Sequence, residues 1–549
     1  MREYIYTLKS DLLKRVVTEY IDYITNPLNK HRQSNDYFIS QMFSGSKSST
    51  PTPMPLKVDK YTGKTLIWNL PRPSYNNAEA KVRMIVDILF RRYLGSSNEV
   101  FTLKSSALRR VTVRYKYILD VLRWNFIIGY SHTYTEDNNY SKTLYNVYDP
   151  KMFHLIKVDS SIKKEVERFD KWSHMRQRER TIEIIQATSP QFVERYNASL
   201  SQLRIDEASA MEYIITHYGE NTHSSLSRMY TVKKISQKQR LFLSSTDNNG
   251  RLYHIGTELQ RDIKRFTNIK YTIDCKNSHP YLLTNIILKY IIDDKATRTG
   301  DNLCEETHNT LMYNLTQYLN IHKGTYVHNE FLSYICNILE KSNLRKQKTA
   351  KILTLTKRFA NIKPDVWQYI YDASNGKVWD NFVEQFNEER STVKQQIFAS
   401  VVYSYAKRRN KKKEAEDKWL RAFIERYPTV YDIIVQIKRT LHKQCKENGL
   451  VRNLKHPLKF PINGSQTIEI STKDKVLLPT LMMGLESSIF IEVLKRLFNK
   501  RITCFGIHDA VAVINPKKMT IEDIKAIILD VYKGYGMMPT LSVEYYGDK

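Results

Sequence analysis

The 549-residue sequence has few cysteines, few acidic residues for its number of basic ones, and no long apolar run. Its five cysteines, Cys275, Cys304, Cys336, Cys445 and Cys504, are scattered without a Cys-x-x-Cys pair. This spacing argues against a disulfide framework and against a zinc ribbon. No stretch of about 18 apolar residues occurs, so we expect no membrane span. The first segment, predicted to be a helix from the N-terminus, is charged, unlike a signal peptide. We therefore expect the protein to be located in the cytoplasm or another reducing intracellular compartment.

Acidic side chains are outnumbered, with 57 Asp and Glu against 86 Lys and Arg, for a net charge of +29. Such an excess favours a polyanionic partner such as nucleic acid. An AT-rich genome would also raise the Lys, Asn, Ile and Tyr content, although it favours Arg less. Together with the compact length, it fits a virus, plasmid or mobile element. Hydrophobic residues make up 41% of the chain, enough for a large folded core.

Composition and predicted secondary structure change several times along the chain. Residues 44–55 (SGSKSSTPTPMP) are typical of a linker or flexible loop. Residues 160–240 read as mainly helical, and their basic segment at 176–185 suits phosphate contacts. Short strands and turns follow after residue 240, and a hairpin turn is predicted at Asn463-Gly464.

Two carboxylates at strand ends are the strongest chemical signal. Asp509, behind His508, lies at the tip of a predicted hairpin in residues 501–514, where we expect it to be exposed. Asp274 ends a separate apolar strand, Tyr-Thr-Ile-Asp. Carboxylates delivered by two strands can hold two Mg²⁺ ions roughly 3.5–4 Å apart, an arrangement used for in-line phosphoryl transfer. Taken alone, the Asp274 segment favours a helix cap at Asp274 or Ser278 without a metal, and His508-Asp509 is typical of an ordinary turn.

Other segments offer groups for phosphate binding. Arg251 follows Gly250 in a turn from which a guanidinium can clamp phosphate. Lys348, Lys351 and Phe359 share one predicted helical face, which suits a triphosphate and a base or sugar. A solvated basic helix with a core Phe would have the same pattern.

A predicted helix at residues 484–500 carries Glu486 beside its apolar face. A carboxylate at this position is either a cap near the helix start or a group that faces the site. The packed stripe of the helix is predicted to be Leu485, Ile489, Val493 and Leu497.

In their order along the chain, these segments resemble the polymerase-A superfamily, which includes family-A DNA polymerases and phage-type single-subunit RNA polymerases. The resemblance covers residues 241–520, about half of the chain. The matching segments are the Gly250-Arg251 turn, motif A from Asp274 to Pro280, motif B with Lys351 and Phe359, the helix with Glu486, and His508-Asp509 as motif C.

The resemblance implies an α+β, right-hand polymerase with an antiparallel-sheet palm, helical fingers and a mostly helical N-terminal and thumb region. The expected divisions are an N-terminal helical domain (1–160), a thumb-like helical region (161–240), a palm in two parts (241–300 and 451–549) and fingers (301–450).

The resemblance also implies the catalytic roles. Asp274 and Asp509 would hold two Mg²⁺ ions, and Lys351, helped by Lys348 or Arg345, would neutralise the triphosphate. Phe359 would hold the nucleotide against the templating base. The implied partners are a nucleic-acid template, a primer or product strand and nucleoside triphosphates, with no membrane.

The sequence departs from the family pattern at two informative positions. An Arg usually precedes the motif B Lys by four residues, and Gln347 stands there instead. His279 lies five residues beyond Asp274, where family-A DNA polymerases carry a Glu that crowds the ribose 2′-hydroxyl and the RNA enzymes carry a small residue. A bulky His279 and the neighbouring Asn277 favour deoxynucleotides, whereas the turn before Arg251 looks more like that of the RNA enzymes.

Three functions therefore compete. Template-directed DNA synthesis is favoured, and a single-subunit RNA polymerase is the first alternative. The third is a basic nucleic-acid-binding protein without catalytic activity, in which the carboxylates are structural.

Overall fold

The computed structural model describes residues 3–25, 73–96, 98–134, 141–246, 250–276, 278–296, 362–404, 411–447, 458–463, 466–470, 477–535 and 539–546. Its α-helices, in chain order, are α1 (Ser10–Thr25), α2 (Tyr75–Leu94), α3 (Ser105–Val111), α4 (Tyr115–Trp124), α5 (Ser160–Ala187), α6 (Pro190–Leu200), α7 (Glu207–Tyr218), α8 (His223–Ser236), α9 (Ile255–Glu258), α10 (Ser278–Ala296), α11 (Pro364–Ser374), α12 (Asp380–Phe386), α13 (Arg390–Ile397), α14 (Lys411–Glu416), α15 (Lys418–Arg426), α16 (Pro428–Glu447), α17 (Leu477–Asn499) and α18 (Ile521–Gly534).

The strands are β1 (Tyr4–Leu8), β2 (Phe101–Thr102), β3 (Ile128–Tyr134), β4 (Ser141–Val147), β5 (Phe153–Lys157), β6 (Ser245–Thr246), β7 (Leu252–Tyr253), β8 (Tyr271–Cys275), β9 (Leu458–Asn463), β10 (Gln466–Ile470), β11 (Thr503–Ile507), β12 (Ala510–Asn515) and β13 (Leu541–Tyr545). The mixture of helices and small antiparallel sheets confirms the α+β class.

The chain divides into two compact units. Unit 1 comprises Met1–Glu179 and Asp206–Gln237, and unit 2 comprises Arg180–Ile205 and Lys238–Lys549. The region 161–240, predicted as one thumb-like element, is thus shared between the two units. The predicted N-terminal helical domain also contains strands β1 to β5.

Unit 1 combines helices with two antiparallel sheets, ordered β1-β5 and β2-β4-β3. Helix α2 starts after Ser74, whose side chain accepts a hydrogen bond from the Asn77 N–H. The buried Asp87 of this helix accepts a hydrogen bond of 2.9 Å from the Tyr6 N–H and so ties β1 to α2. Because Tyr4–Leu8 pair with β5, the helix expected at the N-terminus begins only at Ser10. The core face of α2 shows helical spacing through Ala78, Val82, Ile85 and Leu89.

Unit 2 is built on a four-stranded antiparallel sheet with the order β11-β12-β8-β13. The segments predicted as two parts of one domain, 241–300 and 451–549, therefore contribute strands to the same sheet. The hairpin of β11 and β12 confirms the prediction for residues 501–514. The hairpin of β9 and β10 also forms, with its first strand ending at Asn463.

Helix α17 packs against β11 and is longer than predicted, because it begins at Leu477 rather than at residue 484. Its predicted apolar stripe is buried throughout: Leu485, Ile489, Val493 and Leu497. Within the described part of the chain, this helix alone has the length and hydropathy of a membrane span, and most of it lies inside unit 2. Its apolar character is accounted for by the core that it forms.

Candidate active site

The two predicted aspartates lie side by side on neighbouring strands of the unit 2 sheet. Asp274 of β8 pairs with Ala510, the residue after Asp509. The Cys275 N–H donates a hydrogen bond of 3.2 Å to the Asp509 carbonyl oxygen. Adjacent strands run about 4.8 Å apart, so the sheet holds the two carboxylates at one edge.

The turn between β11 and β12 aims Asp509 inward. His508 takes a left-handed backbone conformation with φ of 55°, which His adopts more readily than most residues. His508 is the exposed member of the turn, and its ring lies 6.0 Å from that of Tyr253. Asp509 is half-buried, so the expectation of an exposed carboxylate at the tip was wrong.

The electrostatics of the pair favour a positively charged ligand. Burial, followed by the negative charge of Asp509, raises the pKa of Asp274 to about 7. Burial, followed by the charge of Glu486, raises the pKa of Asp509 to about 6. Two carboxylates this close titrate as a coupled pair, and a bound cation would relieve their repulsion.

Lys394, on helix α13, faces the same site. Its positive charge lowers the pKa of both Asp274 and Asp509, although the other contributions raise both values overall. Its side chain is exposed, so it is free to meet a phosphate. Our reading of the sequence missed this residue.

The sequence around Lys394 contained a usable signal. Arg390 precedes Lys394 by four residues, and Tyr403 follows by nine. Arg390 binds Asp380, with 3.0 Å between Nε and Oδ1, and fixes the start of α13. Between Lys394 and Tyr403 the chain makes a π-helical turn, in which the Tyr403 N–H donates to the Phe398 carbonyl at 2.8 Å.

A second cluster surrounds Glu486, which is only 1% exposed. It forms an ion pair with Arg251 and accepts a hydrogen bond of 2.8 Å from the Ser278 hydroxyl. Glu486 therefore faces the site and is not a helix cap, which settles the alternative left open by the sequence. Burial alone would raise the pKa of Glu486, but His279 and Arg251 outweigh it and lower the pKa to about 2.

His279 joins this cluster to aromatic neighbours. Its Nε2 lies 3.0 Å from an Arg251 Nη2 and 3.5 Å from Glu486 Oε1. The nitrogen can accept from Arg251 or, when protonated, donate to Glu486, but not both. The Phe398 ring stands edge-on to His279 at 5.7 Å. The residue predicted to sense the sugar is thus held by three side chains.

Gly250 supports the placement of Arg251. Its φ is +78°, a left-handed conformation that glycine adopts without strain, and a Cβ there would lie 3.1 Å from the Ser487 hydroxyl. The backbone at Gly250 is thus one that glycine permits, as predicted, while residues 247–249 of the predicted turn lie outside the described part of the chain. The turn delivers Arg251 to Glu486 from a separate part of the chain.

A buried clamp steadies the strand that leads to Asp509. The Tyr196 hydroxyl accepts a hydrogen bond of 2.9 Å from the Gly506 N–H. His254 Nε2 lies 2.8 Å from the Gly506 carbonyl oxygen, and His254 Nδ1 accepts from the Gly256 N–H at 3.0 Å. Burial lowers the pKa of His254 to about 4, so its ring is neutral at pH 7.

The donor set suits magnesium only in part. Among the residues that the structure describes, no three His, Cys, Asp or Glu side chains gather into a metal-binding cluster. Mg²⁺ commonly takes one or two carboxylates and completes its shell with water and substrate phosphates. Asp274 and Asp509 fit that mode of binding.

The structure brings together Arg251, His279 and Glu486 in one cluster and Asp274 with Asp509 in another, with His508 beside them. The other predicted residues, Arg345, Lys348, Lys351 and Phe359, lie outside the described residues, as do Asn277 and the loop at 44–55. Their roles stay predictions. Comparison with models of known protein families and with curated proteins gives no match, so interpretation of the site depends on its own geometry and chemistry.

Proposed function

We propose that this chain is a template-directed nucleic-acid polymerase that transfers nucleotides with the help of two Mg²⁺ ions and favours deoxynucleotides. The observation that carries the proposal is the coupled pair of Asp274 and Asp509 on adjacent strands, with Lys394 facing both. Buried like charges with raised pKa values are costly to a fold, and they concentrate at functional sites.

Asp274 and Asp509 would hold the metal ions. Bound Mg²⁺ would make the attacking 3′-hydroxyl more acidic and stabilise charge on the transferred phosphate and the departing pyrophosphate. The residues that hold these ions are carried by paired strands, so their spacing is fixed before the substrate arrives. This preorganisation is what electrostatic catalysis requires.

We assign Lys394 as a cation that binds the triphosphate, in addition to Lys351, which was predicted from the sequence. The resemblance to the polymerase-A superfamily supports this assignment. In that family an Arg precedes the motif B Lys by four residues. Arg390 stands at that distance before Lys394, whereas Gln347 stands there before Lys351. Tyr403 follows Lys394 by nine residues where the family spacing is eight. The π-helical turn ending at Tyr403 takes up one additional residue, because its hydrogen bonds span five residues.

The cluster of Arg251, His279 and Glu486 would contact the nucleotide. Glu486 neutralises Arg251 and holds its guanidinium in place. His279 remains partly exposed and would face the sugar, while the ring of Tyr403, 37% exposed, would meet the base. A bulky His279 near the ribose favours deoxynucleotides.

Primer extension tests the proposal. The full chain would be given a primed DNA template, Mg²⁺ and either deoxynucleoside or ribonucleoside triphosphates. We expect extension with deoxynucleotides, and we expect Asp274→Asn and Asp509→Asn to bind the primed template normally without extending it. Synthesis from ribonucleotides alone without a primer would instead establish the single-subunit RNA polymerase, which the turn before Arg251 favours.

The same variants separate catalysis from simple binding. If both Asn variants match the wild type in every assay, and the wild type extends nothing, the carboxylates are structural. The protein would then be the basic nucleic-acid-binding protein of the third hypothesis.

A further inference from the structure

Unit 1 contains a groove of about 790 Å³ along one face of helix α5, which we call the α5 groove. Its volume lies in the range of ligand-binding pockets. The lining residues come from α5 and from the end of α3: Arg110, Glu167, Arg168, Asp170, Lys171, Trp172, His174, Met175 and Arg178.

The charge of the groove is mainly positive. Lys171, Arg178 and Arg110 are exposed along it. Lys171 and Arg178 lie seven residues apart, which places them on the same helical face about 10 Å apart along the axis. Of the two acidic residues, Asp170 is buried, so only Glu167 offers an exposed negative charge.

Arg168 is a fixed part of the wall. Its guanidinium pairs with Glu165 at 2.6 Å and donates to the Val111 carbonyl at 2.7 Å. The bond to Val111 fastens α5 to the end of α3, whereas the pair with Glu165 lies within α5.

An aromatic residue, Trp172, lines the groove together with the basic ones. Trp172 is half-buried, and its ring rests 5.3 Å from that of Phe169. Met175 is 50% exposed beside it. An indole packed against a second ring, in a groove that also carries cations, is an arrangement by which proteins stack the bases of single-stranded nucleic acid while binding its phosphates.

We infer that the α5 groove binds single-stranded nucleic acid, with phosphates at Lys171, Arg178 and Arg110 and a base against Trp172. Duplex suits it less, because paired bases offer no free face to the indole. An acidic peptide would use the cations but not the stacking. The inference goes beyond the proposed synthesis, because binding here needs neither Mg²⁺ nor nucleoside triphosphates.

Fluorescence anisotropy of a labelled 20-nucleotide oligo(dT) with the full chain, in EDTA, tests the inference. The double variant Lys171→Glu/Arg178→Glu should bind at least tenfold more weakly. The slope of log affinity against log salt should fall by about 1.4, since each phosphate contact to a single strand contributes about 0.7. The matched control is Lys163→Glu/Lys164→Glu, an equal charge change at exposed positions of α5 outside the groove, and it should change affinity at most twofold.

Stacking is tested by Trp172→Ala and Trp172→Phe. The Ala variant should lose about fivefold or more in affinity and the Phe variant much less. Circular dichroism and thermal melting would show that each variant is folded, and Trp172→Phe keeps the test valid if the Ala variant is not. The inference is overturned if the groove and control double variants bind alike, if a matched duplex is preferred, or if poly-glutamate competes as well as oligo(dT). Because Asp274→Asn should bind oligo(dT) like the wild type, failure here and failure of the proposed synthesis are distinguishable.

Discussion

At the scale of single residues, the aspartate pair carries a cost that function would explain. The folded-state pKa values of Asp274 and Asp509, about 7 and about 6, lie above the ordinary value of 3.8. The native state thus binds more protons than the unfolded state between about pH 4 and pH 7. The contribution of the pair to stability is fully present below that window and is lost as the pH rises through it.

We therefore predict that Asp274→Asn and Asp509→Asn each stabilise the metal-free protein at pH 8 by on the order of 1 kcal/mol, because one charge of the repelling pair is removed. Thermal melting in EDTA measures this. Adding Mg²⁺ should stabilise the wild type and leave the variants almost unchanged. Asn variants that melt below the wild type at pH 8 in EDTA would show that the aspartates are structural partners instead.

Lys394 and Lys351 make a matched comparison. We predict that Lys394→Met lowers kcat/KM for the incoming nucleotide by about 10²-fold, because the triphosphate loses a cation at the transition state. Lys394→Arg, which keeps the charge, should retain most of the activity. Single-nucleotide incorporation kinetics provide the measurement. If Lys351→Met loses activity and Lys394→Met does not, the triphosphate cation is the one predicted from the sequence.

At the scale of elements, the π-helical turn Phe398–Val402 depends on a buried lysine. Lys438 of α16 donates to the Val401 carbonyl at 2.6 Å and to the Ser404 carbonyl at 2.8 Å. Lys438 thus donates to one carbonyl within the turn and to one just beyond its end. Lys438 therefore stabilises the π-helical turn that positions Tyr403.

Lys438→Met should remove the buried ammonium donor from those carbonyls and destabilise the protein by about 1–3 kcal/mol. Because Tyr403 moves with the turn, KM for the nucleotide should also rise. Denaturant unfolding and steady-state kinetics check the two effects. Arg439→Met, at the adjacent exposed position, is the control and should change neither. Equal stability of the two variants would contradict the capping role.

The hydrogen bonds of Tyr196 and His254 to Gly506 of β11 predict that stability falls as the pH is lowered. This pH dependence has the opposite sign from that of the aspartate pair. The pKa of His254 falls from 6.5 to about 4 in the folded state. The contribution of neutral His254 to the free energy of unfolding is fully present above pH 6.5. It is lost as the pH falls towards 4, by up to about 3 kcal/mol. Urea unfolding between pH 7 and pH 4 measures it. His254→Gln, which cannot titrate, should be less stable at pH 7 and should flatten this part of the profile; an unchanged profile would contradict the argument.

At the scale of the whole molecule, sequence reasoning succeeded where structure is local. The hairpin at Asp509 and the turn at Gly250 are encoded by neighbouring residues, and both were predicted. The pairing of β8 with β12 joins residues more than 230 apart, and the sequence predicted only that the strands of Asp274 and Asp509 serve one site. The Arg390–Lys394 spacing was a local signal that the sequence reasoning missed, but nothing in that spacing shows which distant carboxylates Lys394 faces.

The net charge of +29 should govern the affinity for nucleic acid, whereas the aspartate pair should govern extension, so the two effects can be measured separately. Affinity that arises from released counterions falls steeply with salt, so we predict that affinity for a primed template drops at least 10²-fold between 50 and 200 mM KCl. Asp274→Asn and Asp509→Asn should show the same slope, because the two carboxylates that we propose as Mg²⁺ ligands contribute little to a surface with 86 basic residues. Anisotropy titrations in EDTA measure the slopes, and quench-flow at saturating template measures extension. If the variants bind with the slope of the wild type but do not extend, then the charge of the chain recruits the nucleic acid and the aspartate pair acts only on the bond being formed. Variants with a changed slope would mean that the pair shapes the binding surface itself, and the site would need another explanation.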